Sequence, residues 1–284
     1  MESCQYGKYI KFHRYYRLTT SKLNTFNNIA LKGCKNIVFT RFPFYNTTKN
    51  SKELALENGE GNCVSFAYYV QHLLKKKGIK SYLVGAKPPD IFFQKGYNEI
   101  SHCAVIVPFN KGYVLFDTSF YFKKAVIVYQ NNNHNRIYKF KNVYSEQIDK
   151  FYFKYDDDKI RIYMNGLDSG GYYKLYEIYN PHECITLPTN NSDKRIFRCE
   201  INKKTFTASF YYNINLYNNT LSLKLHNNLI SKVNLSQLHL NNKFSEPLFS
   251  YWLLSNKHVL TTKQYKQIYE DISTFFSKKD IKIS

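Results

Sequence analysis

The residue best placed to do chemistry is Cys63, in the string Gly59-Glu60-Gly61-Asn62-Cys63. Val64, Ala67, Val70 and Leu74 follow it at helical spacing, so a helix starts at or just before the cysteine, with Asn62 as a capping residue. Unpaired amides and the positive end of the dipole favour the thiolate at such a position. Those amides, including the ones of Asn62 and Cys63, are also suited to an oxyanion during acyl transfer. The flanking glycines let a substrate come close to the backbone. Taken alone, an intracellular cysteine is more often a small core residue. A histidine and an aspartate further along the chain count against that reading.

Ser101 to Pro108 and Tyr113 to Ser119 are β-rich runs joined by Phe109-Asn110-Lys111-Gly112, the pattern of an antiparallel hairpin. With an even-length loop, positions summing to 221 face each other, so residue 104 opposes Asp117 and residue 102 opposes Ser119. His102 and Asp117 then share one face of the sheet as diagonal neighbours, where a carboxylate orients a histidine that acts as general base. An odd-length loop would separate them. Cys63, His102 and Asp117 are accordingly the candidate catalytic residues: nucleophile, base and orienting group.

Weaker candidates surround these three. Asn58, beside Glu57 and five residues before Cys63, resembles in position the oxyanion-hole amide of papain-like hydrolases, and that resemblance makes it a further candidate for the oxyanion site, although a loop residue that turns the chain is the commoner role. Cys103 faces away from His102 on its strand and is expected in the core, and His72 falls on another face of the nucleophile helix and is expected at the surface. His182 and Cys184 lack partners at ligand spacing, and no metal site is expected.

The elements that must hold the three residues in place can also be read. Thr20 and Ser21 precede Leu23, Phe26, Ile29 and Ala30, a possible cap and then a helix within 20–33. Phe42-Pro43-Phe44-Tyr45-Asn46 breaks that helix and leads into a polar loop through Ser51. Lys75, Lys76, Lys77 and Gly78 end the nucleophile helix, and a strand is predicted from Ile79 to Ala86. Further strands are predicted at Ala125 to Tyr129, Ile160 to Met164, Tyr172 to Tyr179, Thr205 to Tyr212 and Leu221 to Leu225. Tyr265, Ile268, Ile272 and Phe275 signal a closing helix. The predicted class is α+β: a helical N-terminal segment with the nucleophile at a helix start, packed on an antiparallel β-sheet or barrel, with a mainly β second half. Four stretches follow: 1–55 helical, 56–129 the catalytic core, 130–262 mainly β, and 263–284 a helix with a basic tail.

The order Cys, His, Asp, on a helix and then on consecutive strands, resembles the transglutaminase-like superfamily, which includes the arylamine N-acetyltransferases and papain-like hydrolases. Gly61-Asn62-Cys63, Ser101-His102, Phe116-Asp117 and the turn Gly78-Ile79 carry the resemblance across Gly61 to Tyr121. The wider layout is similar to that of the arylamine N-acetyltransferases, and Phe42 to Asn46 resembles their Pro-Phe-Glu-Asn. The sequence departs from that family where Glu60-Gly61-Asn62 replaces Arg-Gly-Gly and where Tyr45 replaces the glutamate. The resemblance implies a cysteine enzyme that forms an acyl-thioester on Cys63 and passes the acyl group to an amine or peptide acceptor, with an acyl-CoA as one candidate donor. A thiol protease or amidase with the same triad remains open.

The composition sets the outer bounds. The chain has 284 residues, 43% hydrophobic and 18% aromatic, enough for one large core or two modest ones. Lysine plus arginine exceed aspartate plus glutamate by 41 to 21, a net charge of +20. Such a surplus suits acidic or phosphate-bearing substrates, and it keeps open a non-catalytic, polyanion-binding module, although no specific nucleic-acid signature is present. Lys111 on the hairpin loop and the cluster Lys75 to Lys77 are the candidates for steering an anionic substrate to the site. The six cysteines are expected as free thiols. The first sixteen residues lack an apolar signal core and no apolar run approaches the ~20 residues of a membrane span, so a soluble, cytoplasmic protein is expected, with no membrane partner.

Overall fold

The computed structural model describes residues 7–9, 12, 15–45, 48–93, 98–141, 147–178, 192–202, 205–216, 218–225, 228–241 and 243–278. Two compact units divide the chain. The first uses the described residues within 1–37, 50–142 and 146–186, and the second those within 38–49 and 187–284.

In the first unit, helix α1 (Thr20–Asn36) starts one residue after its cap, Thr19, whose hydroxyl accepts from the Lys22 amide. Helix α2 (Cys63–Lys76) is capped by Asn62 and ends at Gly78, which has the left-handed φ of +67° that suits a glycine after a last turn. Eight antiparallel strands form the main sheet of the unit: β1 (Tyr82–Lys87), β2 (His102–Phe109), β3 (Gly112–Phe116), β4 (Val126–Tyr129), β5 (Tyr138–Lys141), β6 (Ile148–Asp156), β7 (Lys159–Met164) and β8 (Leu167–Lys174). Their order in the sheet is β4-β3-β2-β1-β8-β7-β6-β5.

Every residue of β2 and β3 is buried because both faces of the sheet are covered. One face, with Cys103, Val105, Val107, Val114 and Phe116, packs against Phe26 and Ala30 of α1 and Ala67 and Val70 of α2. The other, with Ala86, Ala104, Ile106, Leu115, Phe153 and Tyr173, forms the interior of a nearly closed barrel.

The two edge strands meet through side chains. The Ile127 amide donates to the Tyr138 hydroxyl at 2.7 Å, and that hydroxyl donates back to the Ile127 carbonyl at 3.3 Å. Asn135 does the same for Tyr129, and Asn27 accepts from the Ala125 amide. The outward backbone groups of β4 are thus satisfied without a ninth strand, which removes the hazard of an open edge.

In the second unit, β9 (Ser192–Asn202), β10 (Thr205–Asn215), β11 (Thr220–Leu225) and β12 (Asn228–Asn234) form a four-stranded antiparallel sheet. Helices α3 (Glu246–Ser255) and α4 (Thr262–Lys278) share a core with it. Ile268, Ile272 and Phe275 are the buried stripe of α4, as their spacing predicts. Asp271 on the same helix takes a bidentate ion pair from buried Arg195 (Nε at 2.6 Å, Nη2 at 3.0 Å) and hydrogen bonds from Tyr212 and Gln267.

The structure corrects several sequence expectations. Strand β1 begins at Tyr82 rather than Ile79, because Ile79 still belongs to the helix-ending turn, its amide bonded to the Leu74 carbonyl. The strand predicted at Tyr172 to Tyr179 is the end of β8 followed by a short strand Glu177–Ile178, and Tyr179 lies outside the described residues. Helix α3 interrupts the mainly β stretch. The stretch before the nucleophile is less loop-like than expected: Phe42–Tyr45 is a 3₁₀ turn with Phe42 in the core of the second unit, and Ser51–Glu53 is a helical turn with a capping box from Asn50.

Candidate active site

A two-residue turn, Asn110-Lys111, joins β2 to β3, and the observed pairs Phe109↔Gly112 and Val105↔Phe116 have the predicted register. His102 opens β2, Asp117 directly follows β3, and both have the parity of the barrel interior. His102 Nε2 and Asp117 Oδ2 are 2.7 Å apart. Both residues are buried, His102 to 7% exposure and Asp117 to 1%. Cys63, half-buried at the first position of α2, is near enough to the same imidazole to raise its proton affinity. With Nε2 engaged by Asp117, Nδ1 is the nitrogen left to face the thiol. The structure therefore brings Cys63, His102 and Asp117 together.

Burial alone would lower the proton affinity of His102. That effect is outweighed by the charge of Asp117 and its hydrogen bond, and by the hydrogen bond and charge of Cys63, so the imidazole pKa is pushed up to about 10.

The carboxylate of Asp117 accepts four hydrogen bonds. Oδ2 takes His102 and the Tyr173 hydroxyl at 2.8 Å, and Oδ1 takes the Ser119 hydroxyl at 2.9 Å and the Phe120 amide at 3.3 Å. Tyr173 was not foreseen from sequence. It sits in one ladder row with Ala86 and His102, Tyr173 pairing with Ala86 and Ala86 with His102. The small alanine between them leaves room for the phenol to reach across to Asp117. Burial, together with the Asp117 charge and hydrogen bond, raises the Tyr173 pKa well above its ordinary value, so it stays a donor.

The turn after Asp117 is closed by Tyr121, whose φ of +59° is rare for a bulky residue, with amide bonds from Tyr121 to the Thr118 carbonyl and from Phe122 to the Asp117 carbonyl. Tyr121 packs edge-on against Phe66 of α2, which ties this turn to the helix that carries the nucleophile. The Phe120 ring lies 4.6 Å from the His102 ring and 5.5 Å from Phe92, an aromatic wall beside the imidazole.

The remaining candidates fall as follows. Asn62 Oδ1 accepts from the Val64 and Ser65 amides at 3.0 and 3.2 Å, so this side chain works as the helix cap. Asn58 is exposed at the end of a π-helical turn, Leu54–Asn58, rather than in a loop. Cys103 is buried against the helices, as its parity predicts, whereas His72 is half-buried. Cys34, Cys63 and Cys103 are free thiols. His182, Cys184 and Cys4 lie outside the described residues, as does the side chain of Cys199. No helix among the described residues is long and apolar enough to cross a membrane.

No protein-family model matches the sequence, and no curated protein is recognisably similar to it. Solved structures do match. An arylamine N-acetyltransferase from Salmonella typhimurium aligns with a TM-score of 0.50 at 9% identity, over 82% of this chain and 92% of that one. The enzyme from Mycobacterium marinum gives 0.50 at 13% identity, over 95% and 96%. One from Bacillus cereus, described as having a unique Cys-His-Glu catalytic triad, gives 0.50 at 14% identity, over 76% and 87%. At these identities the likeness is one of fold, and that fold is the one of the arylamine N-acetyltransferases.

Proposed function

We propose that this protein is a cysteine-dependent acyltransferase that carries the acyl group as a thioester on Cys63 and delivers it to an amine. The observation behind this reading is the convergence of Cys63, His102 and Asp117 at a helix start and one end of a barrel, in a fold shared with enzymes named for acetyl transfer to arylamines. Because its pKa is pushed up to about 10, His102 already holds the Cys63 proton on Nδ1 at neutral pH, and the sulfur attacks the carbonyl carbon of an acyl thioester, the donor class of acyl-CoA. The oxyanion rests on the amides of Asn62 and Cys63. Asn62 takes up the next two amides of the helix, those of Val64 and Ser65, and leaves that of Cys63 for this role. Collapse expels the donor's thiolate, which receives the proton from His102. In the second half the amine attacks the thioester, His102 removes its proton, the amide forms and Cys63 leaves as the thiolate beside the protonated imidazole, which restores the starting pair. Asp117 holds the imidazole in the tautomer and orientation both halves require. The exposed Asn58 has no part in this reading.

Intact-mass measurement after incubation with a panel of acyl-CoA thioesters tests it. A mass increase of one acyl group, absent in Cys63→Ser and discharged by an added aromatic amine, is the expected result. An unmodified wild-type protein across the panel, or a label that persists in Cys63→Ser, would overturn it.

A further inference from the structure

Ser119 stands at a junction the catalytic reading does not use. Its hydroxyl donates to Asp117 Oδ1 at 2.9 Å, and the same oxygen lies 3.5 Å from His102 Nε2. A serine hydroxyl has one proton and two lone pairs, so with the proton given to the carboxylate a lone pair is available to the Nε2–H of the histidine. We propose that Ser119 is a positioning residue for the His102–Asp117 pair: it fixes the rotation of the carboxylate and offers the imidazolium a second acceptor. This inference rests on the proposed role of the Cys63 site.

The geometry calls for such a residue. The terminal torsion of an aspartate is broad, so a carboxylate held through one oxygen can swing and carry its histidine with it. Oδ2 is held by His102 and Tyr173, whereas without Ser119 Oδ1 would keep only the longer contact to the Phe120 amide at 3.3 Å. Ser119 is itself placed by neighbours that leave little freedom. The preceding residue, Thr118, lies so close to α1 that a Cβ on Gly33 would come within 2.8 Å of its methyl group, and the Cys34 thiol reaches the Thr118 carbonyl at 3.7 Å. Tyr121 closes the same turn from the other side. These contacts fix the backbone on both sides of Ser119.

Two variants separate the hydroxyl from the residue's bulk: Ser119→Ala removes it and Ser119→Thr retains it. The readouts are the pH titration of the His102 ring by NMR, which needs no turnover, and the rate of Cys63 alkylation across pH. In Ser119→Ala the His102 titration is expected to move down by about half a pH unit or more, because its charged form loses an acceptor and a well-held counter-ion. Alkylation at neutral pH should slow about 3- to 10-fold as the imidazole loses its orientation. Ser119→Thr should follow wild type in both, and melting temperatures should stay within about 3 °C. An unshifted His102 in Ser119→Ala, or an equal shift in Ser119→Thr, overturns the proposal. The acylation reading fails separately: a shifted His102 in a protein that no acyl-CoA modifies would leave the Ser119 coupling standing and remove the transferase.

Discussion

A carboxylate buried to 1% exposure that accepts four hydrogen bonds is well compensated for its burial, and these bonds hold the Asp117 carboxylate in place beside His102. The pair also makes stability depend on pH in a determined direction. A histidine whose folded pKa is raised above its unfolded value, near 6.5, contributes stability that is complete below about pH 6.5 and is lost as the pH rises through about 10. Urea unfolding of wild type and His102→Gln between pH 6 and 10.5 should therefore show a stability gap that narrows toward alkaline pH by at least about 1.4 kcal/mol, the equivalent of one pKa unit. A gap that stays constant over that range would mean that His102 gains no proton affinity from Asp117 and Cys63. Tyr173 matters at this scale because its phenol is fully buried and its neutral hydroxyl persists through the whole window.

At the scale of elements, the start of α2 depends on Gly61. Its φ of +141° is accessible to glycine, and a Cβ there would come within 2.0 Å of the Ser65 hydroxyl and 2.5 Å of the Ser65 Cβ, both on the first turn of the helix. Gly61→Ala is expected to cost about 2 kcal/mol or more and to slow the alkylation of Cys63 at neutral pH. Adding Ser65→Gly should recover part of the loss by removing the clash while the backbone strain remains. A Gly61→Ala protein that melts like wild type and alkylates Cys63 at the wild-type rate would overturn this account. This helix start was legible in the sequence because cap, glycine and apolar spacing are all local. The His102–Asp117 pairing was legible for a related reason, since a two-residue turn sets the register of β2 on β3. Tyr173 was not, because its place depends on β8 pairing with β1, two strands far apart in the chain that no turn connects. Helix α3 was hidden differently. Leu248, Phe249, Tyr251, Trp252, Leu253 and Leu254 make it apolar on nearly every side, so it shows no amphipathic period.

At the scale of the whole molecule, the surplus of basic charge is not focused on the site by Lys75, Lys76, Lys77 or Lys111. Lys75, Lys76 and Lys77 sit at the opposite end of α2 from Cys63, about 20 Å away at 1.5 Å per residue. Lys111 lies on the hairpin turn, the length of β2 from His102 and roughly 23 Å away at 3.3 Å per residue. Both distances exceed the screening length of about 8 Å at physiological salt, so these exposed lysines contribute little potential at the thiol. Lys124 is better placed, because it is exposed on the connection from Asp117 to β4, at the same end of the sheet as the three site residues. The potential at Cys63 can be read without knowing the substrate, by comparing its alkylation by iodoacetate, an anion, with that by neutral iodoacetamide. Neutralising Lys75, Lys76, Lys77 and Lys111 together as glutamines should leave the ratio of the two rates, and its decline with salt, unchanged. Lys124→Gln should lower that ratio about two-fold at low ionic strength and have no effect at high salt, since steering acts on encounter and is screened. If the four distant lysines lower the ratio and Lys124 does not, the field at the site comes from the overall charge of the molecule, and the placement of single lysines is immaterial to it.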